Sequence, residues 1–214
     1  MCGRYRLGRG REAFKKYFGK EPDEDWSPRY NIAPTQQVPV IRQHPKEPRR
    51  DLSLMRWGLI PSWSKDMSGA ARMINARSET AHTLPAFREA MKLRRCLVPA
   101  DGFYEWQRRG SAKQPFCFEV NGGEVFAFAG LWERWRDPGG QWIESCSILT
   151  TTPNAVTSAA KSATDNCTTL TRERLHGKAA GGSSAAGYAL FIRERARRFL
   201  CIVPHPFGWK RIHA

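Results

Sequence analysis

The alternation of apolar and polar positions divides the chain into short elements. Residues 10–20 place Phe14, Tyr17 and Phe18 three and four positions apart, which predicts a short amphipathic helix. Pro-rich and mixed-charge segments follow. Then come short runs dense in β-branched and aromatic residues: Val38–Arg42, Leu52–Trp57, Cys96–Pro99, Phe116–Val120, Val125–Leu131 and Ser145–Thr151. Turn residues punctuate them, as in Asn121-Gly122-Gly123 and Asp137-Pro138-Gly139-Gly140, so each run predicts a strand. A second helix is predicted over residues 84–94, after Leu84-Pro85. Many short strands with few helices predict an α+β fold, a single domain built on a curved, barrel-like, mainly antiparallel sheet.

The pattern weakens near residue 155. Residues 155–166 have little apolar periodicity, and Ala179–Gly187 has a linker-like composition. A basic segment, Arg193–Arg198, and an aromatic and proline-rich end, Pro204–Trp209, complete the chain. The expected organisation is one unit over residues 2–156, followed by an atypical segment over 157–214.

Composition narrows the class. A chain of 214 residues can bury a substantial core as one domain. It has no uninterrupted apolar run of about 18 residues, so no membrane span is expected. The first residues are basic and lack the apolar stretch of a secretory signal, which makes the cytoplasm the expected location. Six widely scattered cysteines without a C-x-x-C pair argue against both a disulfide framework and a zinc site. No metal or cofactor is expected, since the chain also lacks a Gly-rich phosphate loop. The net charge of +15 favours a polyanionic partner, and nucleic acid is the commonest in a cytoplasm. Charge spread for solubility, or an acidic protein partner, are the alternatives.

Cys2 stands out by position. Removal of Met1 would leave a free α-amine beside a thiol on one carbon skeleton. The amine of such a 1,2-aminothiol condenses with an aldehyde to an imine, and the thiol then closes on the imine carbon as a thiazolidine. Tethering makes the second step intramolecular, which favours it strongly. An abasic deoxyribose in its open form presents such an aldehyde. Alone, Cys2 would read more simply as an early residue of no consequence.

It is not alone. Met-Cys-Gly-Arg-Tyr at the start is followed, in order, by Arg29-Tyr30-Asn31-Ile32-Ala33-Pro34-Thr35 and Arg56-Trp57-Gly58-Leu59-Ile60-Pro61-Ser62-Trp63. Ile74-Asn75-Ala76-Arg77-Ser78-Glu79-Thr80 and Pro99-Ala100-Asp101-Gly102-Phe103-Tyr104-Glu105-Trp106 come next. Together these motifs closely resemble the SOS response-associated peptidase family, also called abasic-site processing proteins, over residues 2 to about 154. The resemblance implies that the fold is that of this family and that the chain is a monomer, nucleoid-associated in the cytoplasm. It implies a DNA damage (SOS) response role on single-stranded DNA with abasic sites.

It also implies site residues. Cys2 would form the thiazolidine, Asn75 would hydrogen-bond near the amine and the attacked carbon, and Glu105 would be the general acid/base. Without the resemblance, Asn75 reads as a turn residue and Glu105 as a solvated strand-end carboxylate, although its setting between Tyr104 and Trp106 points to a partly apolar pocket. Arg4, Arg77 and Arg88 would contact phosphates, with Thr150 also at the DNA. Trp63 and Phe87 would wedge and stack bases, although ordinary core packing is the competing reading for both.

The resemblance breaks off after Thr151-Thr152-Pro153-Asn154. Family members usually carry an Ile-His-Asp-Arg-Met-Pro-like segment there, whose His is a second catalytic group. The corresponding window, Val156–Ser162, contains no histidine. The usual Val-Ser-x-x-Val-Asn-like ending is also missing. A divergent C-terminus and a frameshift or gene fragment compete as explanations, and the loss of both motifs at one breakpoint favours the second. His176 is the nearest downstream histidine, in a context that reads as an exposed loop. Two other functions therefore stand beside the cross-linking, lyase-type enzyme. One is a thiol autopeptidase that removes Met1; the other is a non-covalent strand-binding remnant.

Overall fold

A computed structural model describes residues 2–20, 22, 26–44, 47, 49–120 and 122–151, and the strand segments 166–167, 169–170, 199–205 and 208–213. In chain order the elements begin with β1 (Arg4–Leu7), α1 (Arg11–Phe18), β2 (Arg29–Ile32), β3 (Gln37–Gln43) and β4 (Arg50–Trp57). A 3-10 turn at Ala70–Arg72 leads to β5 (Asn75–Arg77), α2 (Arg88–Leu93), β6 (Arg95–Ala100) and β7 (Gly102–Arg109). Then follow β8 (Ala112–Val120), β9 (Phe126–Arg136) and β10 (Trp142–Thr151). The later segments are β11 (Asn166–Cys167), β12 (Thr169–Leu170), β13 (Phe199–His205) and β14 (Gly208–His213).

Strands β10, β4, β3, β6 and β9 form a ring that closes where β9 pairs with β10. The β4–β10 pair is parallel and the other four are antiparallel, so the barrel is mixed. Closure leaves these five strands without a common open edge. A second, antiparallel sheet runs β14-β13-β8-β7-β1-β2. This is the α+β, barrel-based, mainly antiparallel fold that the pattern predicts. The segment 157–214, set apart by its composition, contributes strands to both sheets: β11 pairs with β10, β12 with β9, and β13 with β8.

An aromatic chain joins the two sheets. Phe118 stacks on Phe103 at 5.2 Å, Phe103 meets Phe128 edge-on at 5.9 Å, and Tyr5 bridges Phe128 (5.7 Å) and Trp57 (5.3 Å). These offset and edge-to-face contacts add about 1 kcal/mol each to the burial of the rings. Within the barrel, β9 passes so close to β10 that a Cβ at Gly130 would sit 2.9 Å from the Ser147 carbonyl oxygen. Only glycine fits there. Helix α1 buries Phe14, Tyr17 and Phe18, the three residues that its spacing places on one face. Eight residues are too few for a stable isolated helix, so this apolar face is what stabilises it. Leu84 and Pro85 precede α2 in a turn, which shortens the helix expected over 84–94 to Arg88–Leu93. Cys96, Cys117 and Cys146 are buried free thiols, as small apolar residues would be. None of the described helices is long and apolar enough to cross a membrane.

Candidate active site

Cys2 lies just before β1 and is completely buried in the core between the two sheets. The position of β1 is fixed by an ionic cluster at its other end. The Asp101 carboxylate accepts Nε of Arg6 (2.9 Å) and the backbone N–H groups of Gly8 (2.6 Å) and Arg9 (2.7 Å). The same guanidinium donates through Nη2 to Glu119 on β8. Two buried carboxylates thus hold one arginine across three strands. Gly102 allows the approach, because a Cβ there would meet Arg6 Nε at 2.8 Å.

This anchor sets a register in which Arg4 faces Tyr104, Tyr5 faces Phe103 and Arg6 faces Gly102. Glu105 directly follows Tyr104, the last residue of β7 that pairs with β1. Alternation along β7 puts Glu105 on the inward side with Phe103, and both are buried. The carboxylate that reads from sequence as a solvated strand end is therefore in the interior.

The barrel supplies the opposite wall. Strand β5 runs parallel to the end of β10, with Asn75 beside Ile148 and Arg77 beside Thr150. Asn75 Nδ2 donates to the Cys2 carbonyl at 3.0 Å, a contact across 73 residues of sequence. Asn75 Oδ1, Thr150 Oγ1 and the Tyr5 hydroxyl are buried with no hydrogen-bond partner among the described residues. Burial pushes the Tyr5 phenol well above its usual range, so it remains a proton donor. The backbone around these atoms is fixed, since Ser78 N–H donates to the Thr150 carbonyl (2.8 Å) and Thr151 Oγ1 donates to Glu79 (2.8 Å).

The structure joins Asn75 to Cys2, buries Glu105 and Thr150, and leaves Arg77 exposed on β5 beside Thr150. Arg4 lies on the adjoining face of β1, where Nη1 donates to Asn31 Oδ1 at 2.8 Å. Trp63 projects from the loop after β4 and is 65% exposed. That loop is tied from beneath by the Trp135 indole N–H, which donates to the Ser64 carbonyl (2.6 Å). Phe87 is 7% exposed and packs in a core cluster with Leu59, Ala76 and Ala90. The competing reading of ordinary core therefore describes where its ring sits; it supports the surface from below. Arg88 is exposed at the start of α2. The window 156–162 and His176 lie outside the described residues. Among the described residues, no three His, Cys, Asp or Glu side chains gather as a metal site.

Sequence reasoning missed Tyr5 as a site residue, and it missed the anchor of Arg6, Asp101 and Glu119. Tyr5 and Asp101 fall inside the quoted motifs, which was the available signal. Nothing in the sequence pairs Arg6 with Glu119 across 113 residues.

Comparison with known proteins identifies the family. The family model described as "SOS response associated peptidase (SRAP)" matches residues 1–162. The Bacillus subtilis protein named abasic site processing protein YoqW is 40% identical over 158 residues, covering 72% of this chain and 70% of that protein. The chicken protein named abasic site processing protein HMCES is 30% identical over 191 residues, covering 70% of this chain and 57% of that protein. Among solved structures, a Bacteroides thetaiotaomicron protein superposes with a TM-score of 0.83 at 24% identity, over 96% of this chain and 93% of that one. A Bordetella bronchiseptica protein gives 0.76 at 27% identity, over 94% and 98%. The chain belongs to the SOS response associated peptidase family.

Proposed function

We propose that this protein processes abasic sites by bonding covalently to them in single-stranded DNA through Cys2. The observation that carries the reading is the contact of Asn75 with the Cys2 carbonyl. It is supported by relatives named abasic site processing proteins.

The reaction needs a free amine on Cys2, so hydrolysis of the Met1–Cys2 bond comes first. The Cys2 thiol is the nucleophile available for that autoproteolytic step. The freed amine then attacks C1′ of the open sugar. The resulting carbinolamine loses water to give an imine, and the thiol adds to the imine carbon. Its proton passes to the nitrogen, so one aldehyde and one aminothiol yield one thiazolidine and one water. Glu105 moves protons in ring opening and dehydration, while Asn75 orients the amine through the Cys2 backbone. Thr150, Arg4, Arg77 and Arg88 contact the phosphodiester chain, and Trp63 separates the bases beside the lesion. The missing histidine between Asn154 and Ser162 favours a slower version of this chemistry, with a non-covalent strand-binding remnant as its limit.

A denaturing gel of the protein with a labelled single strand carrying one abasic site tests this. A shifted band that requires both the lesion and Cys2, and that Cys2→Ala abolishes, is the expected result. Absence of the band from protein whose intact mass shows loss of Met1 would overturn the covalent reading and leave the remnant.

A further inference from the structure

The barrel has two ends. The last residues of β10 and the short β5 lie at the Cys2 end. At the other end Gln43 pairs with Arg50, Arg42 with Cys96, and Trp142 with Arg136. This second mouth is basic: a groove of about 160 Å³ there is lined by Arg42, Arg50 and Arg95, with Gln43 and Cys96.

A ladder of guanidinium groups and indoles runs outward beside the groove. Arg42 lies 4.3 Å over Trp132, and Arg134 lies 4.3 Å over Trp142 with Arg136 at 5.8 Å. Strand pairing explains the order, since Trp132 faces Cys146, Arg134 faces Glu144 and Arg136 faces Trp142 across the β9–β10 hairpin. Opposed residues share a face, so the buried stripe at Cys146 continues past the barrel into solvent. There Trp142 is 52% exposed. The carboxylates nearby are engaged: Glu144 with Arg42 (2.8 Å), Asp51 with Arg49 (2.6 Å), and Asp137 with the Gln141 N–H (2.7 Å). The cations beside the open indole are Arg134 and Arg136.

A half-open indole flanked by arginines suits a stacked base with its phosphates. An acidic peptide would use the arginines but leave Trp142 without a role. We propose that this mouth is a second contact for the same DNA single strand whose abasic site is held at the Cys2 end, an inference that rests on the DNA reading above. Bases stack on Trp142, and phosphates lie over Arg134 and Arg136. Strand β10 measures the separation. From Trp142 to Thr150 the extended chain covers roughly 26 Å.

Fluorescence anisotropy with undamaged labelled oligothymidylates of about 6, about 12 and about 24 nucleotides tests the proposal, with wild type beside Arg134→Glu/Trp142→Ala. Wild-type affinity should rise about tenfold from the shortest to the longest strand, and the double variant should lose most of that rise along with about one unit of salt slope. Both proteins should cross-link a short abasic strand equally, which shows that the fold and the Cys2 site are intact. Equal length dependence in the two proteins would overturn the proposal, as would a wild type whose affinity does not rise with length. A variant that loses affinity for a polyglutamate peptide but none for long DNA would also overturn it, in favour of an acidic protein partner. Loss of cross-linking from both proteins would count against the Cys2 chemistry alone, because the length comparison uses undamaged strands.

Discussion

Two buried polar clusters sit at opposite ends of β1, and they are built differently. At the Arg6 end, Asp101 accepts three donors and Glu119 completes the guanidinium's ion pairs. Toward the Cys2 end, Asn75 Oδ1, Thr150 Oγ1 and the Tyr5 hydroxyl are equally buried but have no partner among the described residues. A buried polar atom without a partner costs about 1–3 kcal/mol. Folded proteins leave few of them, so these three are candidates for a partner outside the described chain, ordered water or a bound strand. The saturated cluster fixes the strand. The unsaturated one supports the reading that its remaining hydrogen bonds are made with a substrate, at the expense of stability.

The sharpest break of this contrast is at Glu105, which should matter for rate and little for folding. Glu105→Gln keeps the size and removes the acid/base. Single-turnover cross-linking should slow by about 10²–10⁴-fold while the thermal midpoint shifts little. An unchanged rate would remove Glu105 from the proton path.

Asp101→Ala should do the reverse. It leaves Arg6 with Glu119 but strips two backbone donors and one side-chain donor of their acceptor. Removing one member of a buried ion pair costs about 3–5 kcal/mol, and a urea titration should show a lowered midpoint of that order. At temperatures where the variant remains folded, Asp101→Glu should recover part of the stability. A midpoint equal to that of wild type would mean that the β1 register is fixed by the aromatic core alone.

These two ends differ in how far the sequence reveals them. Strands β3, β4, β6, β8, β9 and β10 were legible because their β-branched and aromatic runs fall between turn residues. Strand β5 was not: Asn75-Ala76-Arg77 has no strand-like composition and is extended because it pairs with β10. Strands β1 and β7 were hidden in polar or motif-bearing segments, Arg4–Leu7 and Gly102–Arg109, whose character comes from pairing with each other. The site residues Cys2, Asn75 and Glu105 came from the order of motifs. That order could not show that Glu105 is buried, or that Asn75 reaches the Cys2 backbone. Phe87 shows the limit: a motif position says nothing of whether a ring faces solvent or core. The barrel's closure rests on pairings between distant segments, which periodicity does not encode.

The smallest effect is the most discriminating, because its sign is unusual for a site residue. Thr150→Val exchanges an unpartnered buried hydroxyl for a methyl of nearly the same shape, on a strand that favours β-branched residues. Ending the desolvation of that hydroxyl should raise stability by about 1 kcal/mol, or roughly 2–4 °C in thermal midpoint for a chain of this size. The same change should weaken binding of abasic single strands, since a phosphate contact is lost. Differential scanning calorimetry and a strand-binding titration on one preparation would read both signs. A lowered midpoint would mean that the hydroxyl is already bonded within the fold. Thr150 would then belong with Asp101, and the contrast between the two ends of β1 would rest on Asn75 and Tyr5.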